Sequence, residues 1–587
     1  MKRSHYYLKT GLALFLLWGM SGSSVWSQTE LPKNVRINGL GRTLIQSTNL
    51  GGTLAETDTT TATDLLDGEF LLDLQVNASP NEQTEVQSII RLRNEFGGFF
   101  GSGMTVEVRE LFARGVAGNI FKYHVGDMNL KMTPYTLFQV QQEGTVHQPE
   151  IFKARQELID YEQFYNGDGT RRMQGARFDL GLSAGAILPE INLTGFMTRI
   201  RGTDFFTLPS RLVGGGSVEL VNDRWGSLTG TYVNTYDALA IGNFTAGIRN
   251  PVQTISANLH LVKNKKLALD FVGEMGQSSI REVDMVDPET PAFTFDKDDT
   301  FGDGALALSL VPQRLNIKLG FRNIGPDFFS IGAQSKRVDF TRSLETFNRI
   351  GNQKRFRQLS LWDINRDRSI YTFGLSDVLM AYDSRFGITQ PYGQATPNRR
   401  GLYLEGDFFT SDSSLNVGAQ VMRMSEIRGQ GTFELKAFNL ARLWSDIHIH
   451  KWINREEAIT LTLGLQYEQA SRGGNDIQQI DLTNVLLETG LQFELIESLD
   501  LLVGLKNMTS NGSDYLPQIV RFNEVRDFPA RYTVDDTESM LAAGIRYRFK
   551  EGVYLNIQWE RFSGSRASDA ANDYGIDQIF ILYNMNF

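Results

Sequence analysis

The 587-residue chain predicts an all-β fold of antiparallel, up-and-down strands, on three observations. Apolar side chains recur at every second position in segments spread along the chain. Tight turn signals alternate with long polar connections, and the last residues form an alternating strand that ends on Phe587. Period two marks a strand because successive side chains point to opposite faces of the pleat.

The elements follow in chain order. Lys2, Arg3 and Lys9 precede the apolar run Gly11 to Trp18, and Val25 and Ser27 stand three and one before a cleavage point. This reads as an export signal over residues 1–27, leaving 28–587 as one domain that starts at Gln28. The run is too short for a span of about 20 residues. With no cysteine there is no lipid-anchored thiol, disulfide or thiol chemistry. Acidic residues outnumber basic ones, 68 to 58, so no nucleic-acid surface is expected.

Alternation is clear in four segments. Leu315, Ile317, Leu319 and Phe321 interleave with Asn316, Lys318, Gly320 and Arg322; Leu461, Leu463, Leu465 and Tyr467 with Thr462, Gly464 and Gln466. Leu541, Ala543, Ile545, Tyr547 and Phe549 interleave with Arg546, Arg548 and Lys550, and Val553, Leu555, Ile557 and Trp559 with Asn556 and Gln558. Tight turns are expected near Pro80-Asn81, Pro189-Glu190, Asn222-Asp223, Asn264-Lys265, Pro312-Gln313, Glu497-Ser498 and Glu551-Gly552. Long connections are expected over 48–67, 133–170, 203–210, 240–250, 282–302, 331–398, 472–483, 509–538 and 563–574. Threading from Asn34 yields about 22 strands, within about 18–24, and an even count returns Phe587 to the side of the short turns. A closed transmembrane β-barrel needs only its outer face apolar, and closure satisfies every backbone group.

The C-terminal run Ile579, Ile581, Tyr583, Met585 and Phe587 resembles the terminal strand of bacterial outer-membrane β-barrel proteins. The long loops and the Asn- and aromatic-rich ends resemble those of Bacteroidota-type members. That resemblance implies an integral outer-membrane, porin-like protein with long extracellular loops. It also implies recognition of the last strand by the barrel-assembly machinery, with membrane lipid and lipopolysaccharide as surroundings. The first strand, near Asn34–Gln46, must then pair with the last. The strand number is similar to that of energy-coupled receptors, but only Gln28 to Lys33 precede the first strand, too few for a separate plug domain.

An empty barrel of this width leaves a wide aqueous channel, so loops are expected to fold inward. In 133–170, Ile151, Ala154, Leu158, Tyr161 and Tyr165 recur at helical spacing among Lys153, Arg155, Glu157 and Glu162. A helix there either packs in the lumen or lies over the mouth. Loop 331–398 carries Lys336, Arg337, Arg342, Arg349, Lys354, Arg355, Arg357, Arg366 and Arg368 among Phe340, Phe347, Phe356 and Trp362. It reads as a folded cap suited to lipopolysaccharide phosphates or an anionic solute, or as a solvated loop partly balanced by Asp339, Glu345, Asp363 and Asp367.

Strand parity turns Arg91, Arg93, Arg314, Lys318, Arg322, Arg546, Arg548 and Lys550 inward. Such cations either favour anion passage or pair with lumenal carboxylates such as Asp73, Asp270 and Glu560. Asp446, His448 and His450 share one strand face and are the only candidate metal ligands singled out, beside Lys451 and Trp452 where an interfacial polar patch is the plainer reading. Asp284, Asp287, Glu289, Asp296, Asp298, Asp299 and Asp303 read as an acidic external loop rather than a calcium site, since the terminal ligand is missing. No nucleophile elbow, zinc-protease pair, phosphate loop or cofactor motif occurs. The expectation is a non-enzymatic channel for small solutes. The alternatives are a plugged scaffold barrel for adhesion, display or secretion assembly with an envelope partner, and third an outer-membrane enzyme.

Overall fold

A computed structural model describes residues 34–53, 64–96, 104–138, 145–162, 172–183, 190–201, 209–238, 246–284, 292–310, 314–333, 387–391, 393–429, 431–516, 530–567 and 573–587, with 185, 519–521, 524, 525 and 570 besides. The expected signal segment and the nine cations named above in loop 331–398 lie outside them, as does Tyr165.

Twenty-two strands form one sheet: β1 (Val35–Gly51), β2 (Asp64–Asn81), β3 (Thr84–Phe96), β4 (Thr105–Ala117), β5 (Phe121–Asn129), β6 (Arg172–Leu182), β7 (Glu190–Arg201), β8 (Ser210–Asn222), β9 (Gly226–Ala238), β10 (Ala246–Lys263), β11 (Leu267–Asp284), β12 (Ala292–Leu310), β13 (Leu315–Ile324), β14 (Arg399–Phe409), β15 (Leu415–Ser425), β16 (Ala437–His448), β17 (Ile459–Arg472), β18 (Ile480–Ile496), β19 (Leu499–Leu516), β20 (Ala530–Lys550), β21 (Val553–Arg566) and β22 (Tyr574–Asn586). Each pairs antiparallel with its chain neighbours, and β1 pairs with β22 from Leu40↔Asn586 to Gly51↔Gly575. The barrel is closed, and none of its twenty-two strands is an edge strand.

The turns form where asparagine supplies the local bond. Side chains of Asn81, Asn222 and Asn264 accept the amides of Gln83, Arg224 and Lys266 at 2.9, 2.8 and 2.9 Å, the Asx turns their positions suggest. Two short-side connections escape the sequence reading. Gly118-Asn119, in the three-residue turn between β4 and β5, has φ of 59° and 63°, angles that glycine and asparagine adopt most readily. The other is 410–414, whereas 449–458 falls where a short-side turn beside Lys451 and Trp452 is expected.

Several long connections are shorter than expected. The segment 282–302 is largely strand, because β11 runs to Asp284 and β12 starts at Ala292. Asp296, Asp298, Asp299 and Asp303 therefore lie on a strand, not in an acidic loop. Beyond the hydrocarbon both strand faces meet water, so polar strand extensions lose their alternation and read as loops.

Side chains outside the barrel are apolar and exposed: Leu261, Phe271, Met275, Leu306, Leu319, Leu402, Leu443, Leu491, Val503 and Ile557 among them. An exposed apolar surface spread over the whole circumference is what a membrane-spanning barrel presents to lipid. Ile579 is half exposed and Ile581 and Tyr583 share its outward face, whereas Gln578, Phe580 and Leu582 are buried inside. At the seam, the Phe587 amide donates to the Gly39 carbonyl at 3.0 Å and the Gly39 amide to the Phe587 carbonyl at 2.9 Å. A Cβ on Gly39 would stand 2.2 Å from the Phe587 ring, so the glycine leaves room for that ring to lie over the seam.

Candidate functional site: the lined lumen

The inner face carries charged and polar side chains between apolar patches, and the chain's own connections fold onto it. The long connection after β5 contains helix α1 (Glu150–Glu162), the element expected from the spacing of Ile151, Ala154, Leu158 and Tyr161. It lies inside the barrel rather than over its mouth: Ile151, Phe152 and Ala154 are buried, and Ala154 and Leu158 pack with Leu44, Phe580, Leu582 and Tyr554 of the wall.

The wall is shaped to receive it. Gly464 on β17, Gly490 on β18 and Gly504 on β19 face inward on adjacent strands, with Gly490 and Gly504 directly paired. A Cβ on Gly490 would stand 2.5 Å from Pro149 Cβ, and one on Gly504 2.5 Å from Ile151 Cγ2. Glycine inside a strand usually weakens it, and here it permits close approach of another segment.

Polar anchors hold the connection from end to end. Glu488 on β18 accepts the amides of Val146 and His147 at 2.5 and 3.0 Å and the Thr145 hydroxyl at 2.9 Å. Its counter-ion is Lys506 on β19 at 3.0 Å, both side chains fully buried, and Lys506 also donates to Gln148 at 2.7 Å. His147 contacts Asp446 of β16 at 2.7 Å. Glu150 contacts Arg546 of β20 at 2.6 Å, and Arg546 contacts Asp500 of β19 at 2.9 Å. Arg155 lies 2.5 Å from Glu560 of β21 and 4.9 Å above the Phe580 ring.

At the far end of α1, Tyr161 sits in a cage of arginines. Arg109 stacks 3.9 Å from its ring centre, with Arg91 at 5.5 Å and Arg42 at 6.0 Å. Its hydroxyl donates to Asp73 and its carbonyl accepts from Arg109. Asp73 pairs with Arg91 at 2.7 Å, while Glu69 pairs with Arg42 at 3.0 Å and Arg93 at 3.4 Å. A bulge on β4 leaves Arg109 without a partner position on β3. Arg109 and Glu110 thus both reach inward, the first to Tyr161 and the second to Arg172.

Other connections line the remaining wall. Leu130 and Leu137 pack on Met173, Phe196, Val213 and Val233 of β6 to β9. Phe328 and Tyr135 pack on Val252, Phe301 and Ile324 of β10, β12 and β13. Asn250 clamps that segment, accepting from the Ile331 amide at 2.9 Å and donating to the Phe329 carbonyl at 3.0 Å. Ile388 packs against Tyr403, Met422, Phe438, Ala470 and Leu482 of β14 to β18. The two long connections also bond to each other, Phe138 amide to Gly332 carbonyl at 3.0 Å.

Against this lining the sequence candidates take definite places. Arg91, Arg93, Arg322 and Arg546 face inward and pair with Asp73, Glu69, Asp303 and Asp500 respectively. Arg548 contacts Glu494 at 2.6 Å and Asp500 at 3.2 Å. Lys318 points at the Tyr403 ring, 5.5 Å from its centre, while Arg314 and Lys550 are exposed at the short-turn end. Of the three carboxylates proposed as lumenal partners, Asp73 and Glu560 meet Arg91 and Arg155, and Asp270 meets His260 at 2.8 Å.

The Asp446, His448 and His450 face does not persist. β16 ends at His448, and His450 lies on the short helix α2 (Ile449–Trp452), because the chain is already turning. Asp446 bonds His147 and Thr462, His448 bonds Thr460, and His450 bonds the Ile459 backbone. Among the described residues, no group of three or more His, Cys, Asp or Glu side chains is arranged to hold a metal ion. The glycine seat and the Glu488 anchor were missed by the sequence reading. Their only sequence trace is glycine at an inward position of three successive alternating strands.

No protein-family model and no curated protein matches the sequence. Among solved structures, the chain is similar to OccK2 (OpdF) of Pseudomonas aeruginosa at 10% identity, covering 94% of this chain and 98% of that one, with a TM-score of 0.34. It is similar to the outer membrane channel DcaP of Acinetobacter baumannii at 8% identity, covering 94% and 97%, with a TM-score of 0.28. OmpT, an outer membrane protein of Vibrio cholerae, shows 6% identity over 94% and 99%, with a TM-score of 0.27.

Proposed function

We propose that this chain is an outer-membrane, porin-like channel for small solutes, narrowed by its own inward-folded connections. One observation carries the reading: segment 145–162 is held inside a closed 22-strand barrel by charged anchors on β16, β18, β20 and β21 and the β2–β4 cage. A barrel of this size is wide enough for an aqueous path, and charged walls with fixed constrictions are how such paths select solutes. Export by a cleaved signal over 1–27 and recognition of Phe587 by the assembly machinery belong to the same proposal.

Planar-bilayer recording tests it. The refolded protein should show stepwise openings, and deletion of 148–166 should raise the unit conductance. A correctly inserted but silent barrel overturns the channel reading. It would favour the second one, a plugged scaffold, which the lining spread over the wall also suits.

A further inference from the structure

Outward side chains just above the apolar band meet the headgroup layer rather than acyl chains. On the long-connection side of the barrel, Arg400 of β14 and Arg423 of β15 both stand there, outward and exposed. Directly below them Leu402 and Val421 are exposed to lipid, 58% and 50%. The register sets Arg423 opposite Leu402 and Arg400 opposite Ser425, so the two arginines are diagonal neighbours about 7–8 Å apart at the backbone. Asn323 of β13 pairs with Arg400, and Asn439 of β16 pairs with Arg423. The result is a strip of hydrogen-bond donors four strands wide.

Charge balance sets this strip apart from other outward rim arginines among the described residues. Arg281 is bonded to Asp296 at 3.1 Å, and Arg561 stands opposite Asp577. Arg249 stands across from that same Arg281, and Arg199 and Arg531 each stand as a single cation rather than as a neighbouring pair. Around Arg400 and Arg423 the outward positions of β13, β15 and β16 carry no carboxylate at this level, only Asn323, Ser425, Asn439 and Ala437. Two guanidinium forks side by side match a doubly charged, three-oxygen phosphomonoester better than a singly charged phosphodiester.

We infer that Arg400 and Arg423 form a docking site for the phosphomonoester of an outer-leaflet glycolipid of the lipid A type. The site orders one such lipid over β13 to β16, beside the entrance of the long connection that precedes β14. It rests on the outer-membrane part of the function proposed above and not on conductance, so a silent barrel that retains the lipid leaves it standing.

The purified full-length barrel is reconstituted in phosphatidylethanolamine nanodiscs doped with diphosphoryl lipid A, its dephosphorylated form or phosphatidylglycerol. Lipid carried through mild detergent extraction is then counted by mass spectrometry. Wild type should retain diphosphoryl lipid A, and R400Q/R423Q should retain about tenfold less, while R561Q at the balanced site stays at wild-type retention. Equal retention by R400Q/R423Q overturns the site. So does equal retention by wild type of the dephosphorylated lipid or of phosphatidylglycerol. Folding is checked by heat-modifiable gel migration. If R400Q/R423Q does not fold, the comparison of the three lipids on wild type decides the question.

Discussion

Replacing Gly490 with valine places a Cβ 2.5 Å from Pro149 Cβ and 3.4 Å from Pro149 Cα. The pyrrolidine ring cannot swing aside, since its φ is locked, so the segment ahead of α1 must lift. Overpacking of this kind costs about 1–3 kcal/mol. At 1.4 kcal/mol per tenfold, the balance between seated and lifted segment shifts by roughly 5- to 150-fold. The strand itself gains, because a β-branched residue suits it better than glycine. The expected result is a barrel of normal or higher heat resistance with larger or noisier unit conductance. Gly302→Val is the control, since a Cβ there meets nothing within 4 Å. Single-channel recording of both variants, with heat-modifiable migration to confirm folding, decides it. A folded G490V barrel with wild-type conductance refutes the seat, as does an equal change in G302V.

Glu488→Leu strands Lys506 in the wall, and breaking a buried pair costs about 3–5 kcal/mol; the melting temperature should fall. Glu488→Leu/Lys506→Met should recover the melting temperature but keep the altered conductance, because the Val146 and His147 amides still lack their acceptor. Recovery of both, or of neither, contradicts the anchor. Burial pushes the Glu150 carboxyl up, but hydrogen bonds and charge from Lys153 and Arg546 outweigh it and hold the group below its ordinary 4.5. A carboxylate lowered on docking contributes fully above 4.5 and loses that contribution as pH falls through its lowered value. Conductance should therefore lose one acid-induced rise, below about pH 4.5, in Glu150→Gln; superimposable wild-type and variant curves would refute this. Removing Phe587, or changing Gly39 to valine against its ring, should reduce the heat-modifiable fraction recovered from membranes without altering the conductance of barrels that do assemble.

The strand pattern could be read from Leu315 to Arg322 or Val553 to Glu560 because period two needs only local sterics and one apolar face. The same locality let Asn81, Asn222 and Asn264 announce their turns, and let Ile151, Ala154, Leu158 and Tyr161 announce a helix. It failed at Asp296 to Asp303, where a strand leaves the membrane and both faces become polar. It failed again at His450, where a turn of helix ends an alternation that the letters alone continue.

Closure, the inward placement of α1 and the pairing of lumenal charges depend on residues hundreds of positions apart. Glu488 meets Val146, Arg155 meets Glu560, and Phe587 meets Gly39, and no local periodicity records such partnerships. Parity could turn Arg546 inward, but only the assembled barrel brings Asp500 and Glu150 against it. A strand's own steric rules choose its faces, whereas what those faces touch is set by which distant segments share the enclosed space. The chain thus carried its barrel in plain view and kept the contents of the lumen for the tertiary structure.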